Sequence, residues 1–269
     1  MTTIAVLGTG NMGAAMARRL ATTGHSVVAW NRTASRAAAL TDAGVRAVTA
    51  PADAVRDAEF VITMLSDAIA VDAALFGVDG AATALSPGAC LMQMSTIGPA
   101  QVSDVAARLP AGIHLVDAPV AGSVGAAEAG TLRVLAAGAD PAVERARPAL
   151  TALGTIVPCG PLGAGSALKL VLNTALVTGV AAVADVLAVA DAVGLDRDVA
   201  LGHLDAGPLG GAVQRVRMTG ASFSLALAAK DLDLALAEVG QAATPVAWAA
   251  AGMLRDAPDP TADISALVP

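Results

Sequence analysis

The stretch that most constrains this chain is its opening. "TIAVLG" (3–8) is a short apolar run ending on glycine, and "GTGNMG" (8–13) continues directly from it. A helical pattern follows. Met12, Met16 and Leu20 recur at helical spacing in "NMGAAMARRLATTG" (11–24), Arg18 and Arg19 face elsewhere, and Gly24 is a C-terminal stop. A Gly-x-Gly-x-x-Gly turn between strand and helix has a physical logic. Gly8 permits the tight turn, Gly10 lets the backbone approach a pyrophosphate, and Gly13 allows the helix to pack closely on the strand. The helix N-terminus then offers N–H groups to phosphate oxygens. In this context the motif predicts a dinucleotide site. The competing reading is a glycine turn that binds nothing.

The alternation continues through the first half. Strands are expected at 26–30, 59–65, 88–94 and 113–119, and helices at 33–44 and at 99–110, the last opened by Pro99. Strands alternating with helices of this length imply a doubly wound, mostly parallel sheet, the Rossmann-type α/β class. After "GTIVPCGPLGAG" (154–165) the strand pattern stops. Ala/Leu/Val segments at 166–193, 196–205, 225–240 and 244–256 read as helices. The expected division is a dinucleotide-binding domain over 1–160 and a smaller all-helical domain over 161–269, which begins with a long helix.

Composition narrows the function classes. The chain is 55% hydrophobic with 2% aromatic residues and no tyrosine, so its core must be built from Ala, Val and Leu. Net charge is −7 with no basic cluster, which argues against nucleic acid. Cys90 and Cys159 stand far apart, and His25, His114 and His203 have no ligand-like spacing, so no metal is expected. The chain enters a strand-like run at once, without a signal-peptide pattern, and a cytoplasmic location is expected. The apolar stretch near 170–190 is interrupted by Asn173 and Asp185 and reads as a buried helix rather than a membrane span.

The end of the second strand bears on cofactor choice. NAD sites place an Asp or Glu there, about 20 residues beyond the glycines, to bind ribose hydroxyls. This chain has Asn31, Arg32 and Thr33. Arg32 can pair with a 2′-phosphate, which favours NADP(H) over NAD; otherwise it simply faces solvent.

Lysine occurs twice, as Lys169 and Lys230, against fourteen arginines. Lys169 lies in "GSALKLVLN" (165–173), four residues before Asn173, so the two share a helix face. An amine there can exchange a proton with a carbonyl or alcohol oxygen, which a permanently charged guanidinium cannot. Alternatively, Lys169 snorkels from an amphipathic helix.

Six ordered blocks resemble one family, the β-hydroxyacid dehydrogenases, which includes 3-hydroxyisobutyrate dehydrogenase and the glyoxylate and succinic semialdehyde reductases. They are "GTGNMGAAMARRL" with "GHSVVAWNRT" (8–33), "MLSDAIAVDAALFG" (64–77), "MSTIGP" (94–99), "DAPVAGSVGAAEAGTL" (117–132), "GAGSALKLVLN" (163–173) and "FSLALAAKDLDLAL" (223–236). The resemblance implies an NADPH-preferring oxidoreductase acting on a small carbonyl or hydroxy acid. It implies Lys169 as general acid/base, with Asn173 beside it holding a substrate oxygen. It implies a cofactor site of Gly8, Gly10, Asn11, Met12, Gly13, Asn31, Arg32, Thr33, Met64, Leu65, Thr96 and Lys230. Lys230 is the lysine of the family's Lys-Asp-Leu block; a Lys230–Asp231 helix-start or surface pair is the competing reading. A homodimer or homotetramer through the helical domain is implied as well.

One block departs from the family pattern. Many members carry Ser-Gly-Gly after "DAPV", where this chain has Ala121, Gly122 and Ser123. The loop's N–H groups still suit a substrate carboxylate, and Ser123 is a partial replacement for the lost hydroxyl. Arg197, Arg215 and Arg217 are the remaining carboxylate partners in the second half. Imine reductases and reductive aminases share the N-terminal blocks, but many have Asp or Tyr where Lys169 stands. A non-catalytic NADPH-binding protein would need neither Lys169 nor Asn173.

Overall fold

The computed structural model describes residues 2–218, 222–239 and 243–268. Met1, Gly240 and Pro269, at the outer limits of three expected ranges, lie outside the described residues. Two compact units are present, Met1–Lys169 and Leu170–Pro269.

The first unit alternates as its sequence pattern demands. Its strands are β1 (Thr3–Leu7), β2 (Ser26–Trp30), β3 (Arg46–Val48), β4 (Phe60–Thr63), β5 (Cys90–Gln93), β6 (His114–Asp117), β7 (Val120–Ala121), β8 (Leu132–Ala137) and β9 (Gly154–Gly160). Its helices are α1 (Asn11–Thr22), α2 (Ala34–Ala38), α3 (Pro51–Val55), α4 (Ala68–Phe76), α5 (Pro99–Arg108), α6 (Val124–Ala129) and α7 (Asp140–Leu153). The strand order is β3-β2-β1-β4-β5-β6-β8-β7, with β9 on β8. Strands β1 to β6 are parallel, β8 runs antiparallel to β6 and β7, and β9 is parallel to β8. The 3-2-1-4-5-6 order is that of the Rossmann fold.

Apolar layers cover both faces of this sheet. On β1, Ile4 and Val6 join the layer that contains Met16, Leu20 and Leu150, while Ala5 and Leu7 join the layer with Val55, Val71 and Val102. A strand buried on both faces must be apolar throughout, which is why "IAVL" shows no polar alternation.

Some elements depart from the local pattern. The expected helix over 33–44 shortens to α2 followed by a 3₁₀ turn at Thr41–Ala43. Thr41 Oγ1 donates to the Ala38 carbonyl, a local bond that competes with helix continuation. Strand β8 is absent from the pattern reading, because "LRVLAA" has the composition of a helix. Strand β3 is too short for any period to register.

The second unit is helical: the greater part of α8 (Ala164–Ala192), then α9 (Arg197–Asp205), α10 (Gly210–Arg217), α11 (Leu225–Val239) and α12 (Pro245–Asp256). Helix α10 escapes pattern reading because two glycines open it. Val177, Val180, Val183 and Leu187 of α8 pack with Leu225, Leu232, Ala251 and Leu254. Yet α8 is not buried all round, contrary to expectation: Val171 and Val189 are more than 60% exposed. By length and composition alone α8 can also cross a bilayer. Interruption by Asn173 and Asp185 does not shorten the helix, because one polar residue per few turns leaves the backbone ladder intact.

Candidate functional site

The glycine turn is held by backbone contacts that leave little room for side chains. Gly8 has φ +104°, and its N–H donates to the Trp30 carbonyl at 2.8 Å. A Cβ at Gly8 would lie 2.3 Å from the Met64 carbonyl oxygen, and one at Gly13 would lie 1.9 Å from that of Gly8. Gly10 differs, since nothing lies within 4 Å of its Cβ position. Its lack of a side chain is therefore not required by packing.

Asn31 acts as a latch. It accepts from the Thr9 N–H at 3.0 Å and donates from Nδ2 to the Thr33 carbonyl at 3.1 Å, tying the turn to the end of β2. Thr9 Oγ1 is buried and has no hydrogen-bond partner among the described residues. The first turn of α1 carries no acidic residue, and Gly10 adds no side-chain cap. An orphaned buried hydroxyl, open space over Gly10 and an uncapped helix start without carboxylates fit the diphosphate of a dinucleotide. Asn11 is exposed and Met12 half-buried at this helix start, and Arg32 and Thr33 are exposed just after β2.

The turns after β4 and β5 are joined by a polar network that motif reading missed. Thr63, Gln93 and Ser95 are fully buried. Gln93 Oε1 accepts from Thr63 Oγ1 at 3.1 Å and from the Ser95 N–H at 2.9 Å, and Gln93 Nε2 donates to the Ser95 carbonyl at 2.8 Å. Ser95 Oγ accepts from the Leu65 N–H at 2.9 Å. Half-buried Met64, Leu65 and Thr96 thus stand on two turns locked to each other. The signal was present: a glutamine within "CLMQMS" must find partners if the strand is buried.

Asp117, at the end of β6, is fully buried. Oδ2 accepts from the Ser166 N–H at 2.8 Å and Oδ1 from Ser166 Oγ at 2.7 Å. Burial pushes its carboxyl up, against hydrogen bonds from Ser166 and from the Gly163 and Gly165 backbone. The same chain segment leads into Ala121, Gly122 and Ser123. Ser123 Oγ accepts from the Ala126 N–H at 3.3 Å and caps α6. The hydroxyl expected to replace the family's missing one is therefore engaged as a cap. Lys169 is half-buried, one turn beyond Ser166 on α8.

In the second unit, Asn173 and Lys230 are brought together by Asp231. Asn173 Nδ2 donates to Asp231 Oδ2 at 2.5 Å, and Lys230 Nζ lies 2.6 Å from Asp231 Oδ1. Asp231 is 2% exposed, so this is no surface pair. Sequence reading named a Lys230–Asp231 pair only as the competing helix-start or surface reading; the pair is present but its carboxylate is buried, and its bond to Asn173 was not legible.

The three arginines held open as substrate partners are engaged elsewhere. Arg215 makes a two-point pair with Asp263 at 2.9 and 2.6 Å, Arg217 pairs with Asp205 at 3.2 Å, and Arg197 pairs with Asp191 at 2.5 Å. Each guanidinium meets a carboxylate distant in sequence or across a turn, which single-chain patterns do not reveal. Among the described residues no cluster of three His, Cys, Asp or Glu side chains is placed to hold a metal.

Comparison with known proteins divides the chain near residue 162, a few residues before the boundary between the two compact units. A model of the NAD binding domain of 6-phosphogluconate dehydrogenase matches residues 3–161. A model of the NAD-binding of NADP-dependent 3-hydroxyisobutyrate dehydrogenase matches residues 163–268. The chain is similar to 3-sulfolactaldehyde reductase of Escherichia coli, 39% identical over 175 residues, 64% of this chain and 59% of that protein. It is similar to human mitochondrial 3-hydroxyisobutyrate dehydrogenase, 32% identical over 197 residues, 72% of this chain and 59% of that protein. The matches thus span 59% of the length of these curated relatives. Among solved structures, Mycobacterium tuberculosis 3-hydroxyisobutyrate dehydrogenase with L-serine is similar with a TM-score of 0.86 and 31% identity, covering 100% of this chain and 98% of that one.

Proposed function

Because this chain belongs to the β-hydroxyacid dehydrogenase family of NAD(P)-dependent oxidoreductases, we propose that it reduces or forms a small carbonyl acid with NADP(H) as the preferred cofactor. The observation that carries this reading is the strand–glycine–helix turn, with its open Gly10 and orphaned Thr9 hydroxyl, in one chain with a half-buried lysine on α8. Residues 1–160 serve as the dinucleotide-binding domain and 161–269 as the substrate and assembly domain.

A nicotinamide cofactor, when bound, would supply or accept the hydride. The chain's residues do the rest. Backbone N–H groups from Gly10 to Gly13 would hold the diphosphate, and Arg32 would meet the 2′-phosphate. Asn31 keeps the turn in shape. Met64, Leu65 and Thr96, on the locked turns, would line the nicotinamide end of the site. Lys169 donates a proton to the oxygen that gains charge on reduction and takes it back on oxidation. Asn173, oriented by Asp231, holds that oxygen or the substrate carboxylate, and Lys230 contacts cofactor or substrate. Backbone of Ala121, Gly122 and Ser123 binds the carboxylate. With the arginines engaged, a short acid bound through backbone N–H groups is the substrate class that fits.

Exposed Val171 and Val189 on α8, Val193 just after it, and Val246 and Trp248 on α12 support a homodimer or homotetramer built on the helical unit.

The test is turnover over a panel of 3-hydroxyisobutyrate, L-serine, 3-sulfolactaldehyde, glyoxylate and succinic semialdehyde, with a cyclic imine as the contrasting substrate. Lys169→Met should keep cofactor affinity while kcat falls by about 10²–10⁴-fold. Turnover of the imine alone would transfer the reading to the imine reductases. Tight NADPH binding with every substrate silent would leave a binding protein.

A further inference from the structure

The spacing Gly163-x-Gly165-x-x-x-Lys169 has a cause in the structure that lies outside the motif. Gly163 has φ +90°, a conformation that suits glycine. A Cβ at Gly165 would lie 2.3 Å from the Leu135 carbonyl oxygen, 3.0 Å from that of Asp117 and 3.1 Å from Asp117 Oδ2. Gly165 thus lets the start of α8 press against the end of β6 and against β8 at Leu135, and Gly163 supplies the positive-φ turn that leads into it. There it meets one carboxylate. Asp117 accepts from Ser166 N–H and Oγ at 2.8 and 2.7 Å and from the Gly163 and Gly165 backbone.

A buried charge is a costly way to dock a helix, because desolvation opposes it. An apolar contact would attach the helix as well. What the carboxylate adds is direction: several donors converge on two oxygens, and the helix start is left one orientation. Its charge also suits the positive end of the helix dipole. Lys169 is three residues beyond Ser166, within the first two turns that this contact orients.

We propose that Asp117 is the positioning residue for Lys169, its buried carboxylate clamping the first turn of α8 to the end of β6 and so fixing where the lysine amine is presented. The inference rests on the reading of Lys169 as acid/base. Asp117 touches neither substrate nor cofactor in this role. It acts through Ser166 and the helix start. The strand it ends also leads to Ala121–Ser123, so the same clamp ties the proposed carboxylate loop to the proposed proton donor.

The two lysines of the chain make the test direct. After reductive ¹³C-methylation, each dimethyl-lysine resonance reports one lysine, assigned with Lys169→Met and Lys230→Met. In Asp117→Asn, the Lys169 resonance should shift or change its titration midpoint while that of Lys230 holds. Ser166→Ala, which removes one of the bonds, should produce the same change at smaller amplitude, and it serves alone if Asp117→Asn fails to fold. Resonances that both stay, or both move together, would overturn the proposal.

Turnover of 3-hydroxyisobutyrate with NADP⁺, or of whichever panel acid is active, gives the second readout. A misplaced catalytic group of about 1 Å costs on the order of a hundredfold. Asp117→Asn should lower kcat by roughly ten- to a hundredfold, with the cofactor KM unchanged, and should cost nothing further in a Lys169→Met background. An equal loss in both backgrounds would mark Asp117 as merely structural and sink the inference alone. If Lys169→Met itself keeps full kcat, the acid/base reading fails first, and a Lys169-specific NMR change would still separate the two failures.

Discussion

Asn173 on α8 and Asp231 on α11 are hydrogen-bonded at 2.5 Å across 58 residues of sequence, both nearly inaccessible to solvent. The bond orients an amide proposed to face substrate and leaves Asp231 shared with Lys230. Removing the acceptor strands a buried donor, which costs about 1–3 kcal/mol. Asp231→Ala should therefore destabilise the helical unit by that amount, and Asp231→Asn by less, since it keeps an acceptor. One tryptophan lies in each unit, Trp30 and Trp248. Urea unfolding followed by Trp248 fluorescence in a Trp30→Phe background isolates the second unit. An unchanged midpoint in Asp231→Ala would show that the bond contributes nothing.

Gly10 and Gly13 should respond differently to the same added methyl. At Gly13 the Cβ would meet the Gly8 carbonyl oxygen at 1.9 Å, and at Gly10 it meets nothing. Gly10→Ala should keep the melting temperature within a degree or two, roughly the effect of a neutral substitution. Its loss should appear in nucleotide affinity, where the methyl occupies the diphosphate's approach. Gly13→Ala should lower both. Calorimetric titration with NADPH beside thermal unfolding separates them. Equal NADPH affinity in Gly10→Ala and wild type would remove the turn from the cofactor site.

Arg32 is the residue proposed to set the cofactor preference. It is exposed beyond β2, where no carboxylate occupies the ribose position. Arg32→Asp removes a phosphate partner and supplies a hydroxyl acceptor. A charged hydrogen bond contributes about 1.5–3 kcal/mol, so the NADPH-over-NADH ratio should fall by roughly ten- to a hundredfold. The two dissociation constants measure it, and a ratio that does not move would leave Arg32 as a solvated side chain.

The Arg215–Asp263 pair predicts an acid-sensitive second unit. Burial alone would raise the Asp263 carboxyl, yet bonds from Arg215 and from the Phe223 and Ser265 N–H groups hold it at about 2. A folded-state value below the unfolded one contributes stability that is present above about pH 4 and lost as pH falls through the folded value. Wild type should lose Trp248-monitored stability between about pH 4 and pH 2. Asp263→Asn should be less stable at pH 7 and flatter across that window. Parallel pH profiles for the two proteins would refute the role of this pair.

Local rules account for much of the fold. "TIAVLG" and "GTGNMG" become β1, the turn and α1, because a strand buried on both faces needs an unbroken apolar run and the turn needs glycine at Gly8 and Gly13. Scarcity alone singles out Lys169 and Lys230, two amines in a chain that otherwise takes its positive charge from arginine. Strand β8 was illegible, since "LRVLAA" becomes a strand only when flanked by β6, β7 and β9. The same holds for the carboxylates that organise the candidate site. Asp117 looked like one member of a quoted motif, Asp231 like a neighbour of Lys230, and Asp263 like part of the chain's end.

By itself, then, the sequence determined the alternating elements, the glycine turn, the helical second half and the two amines, because periodicity and backbone sterics act within a few residues. Only the tertiary structure decided that Asp117 clamps Ser166, that Asp231 holds Asn173, and that Asp263 takes Arg215 away from any substrate. The physical reason is that a buried carboxylate must be satisfied by whichever donors the fold brings within hydrogen-bond reach, and those donors lie 48 to 58 residues away along the chain.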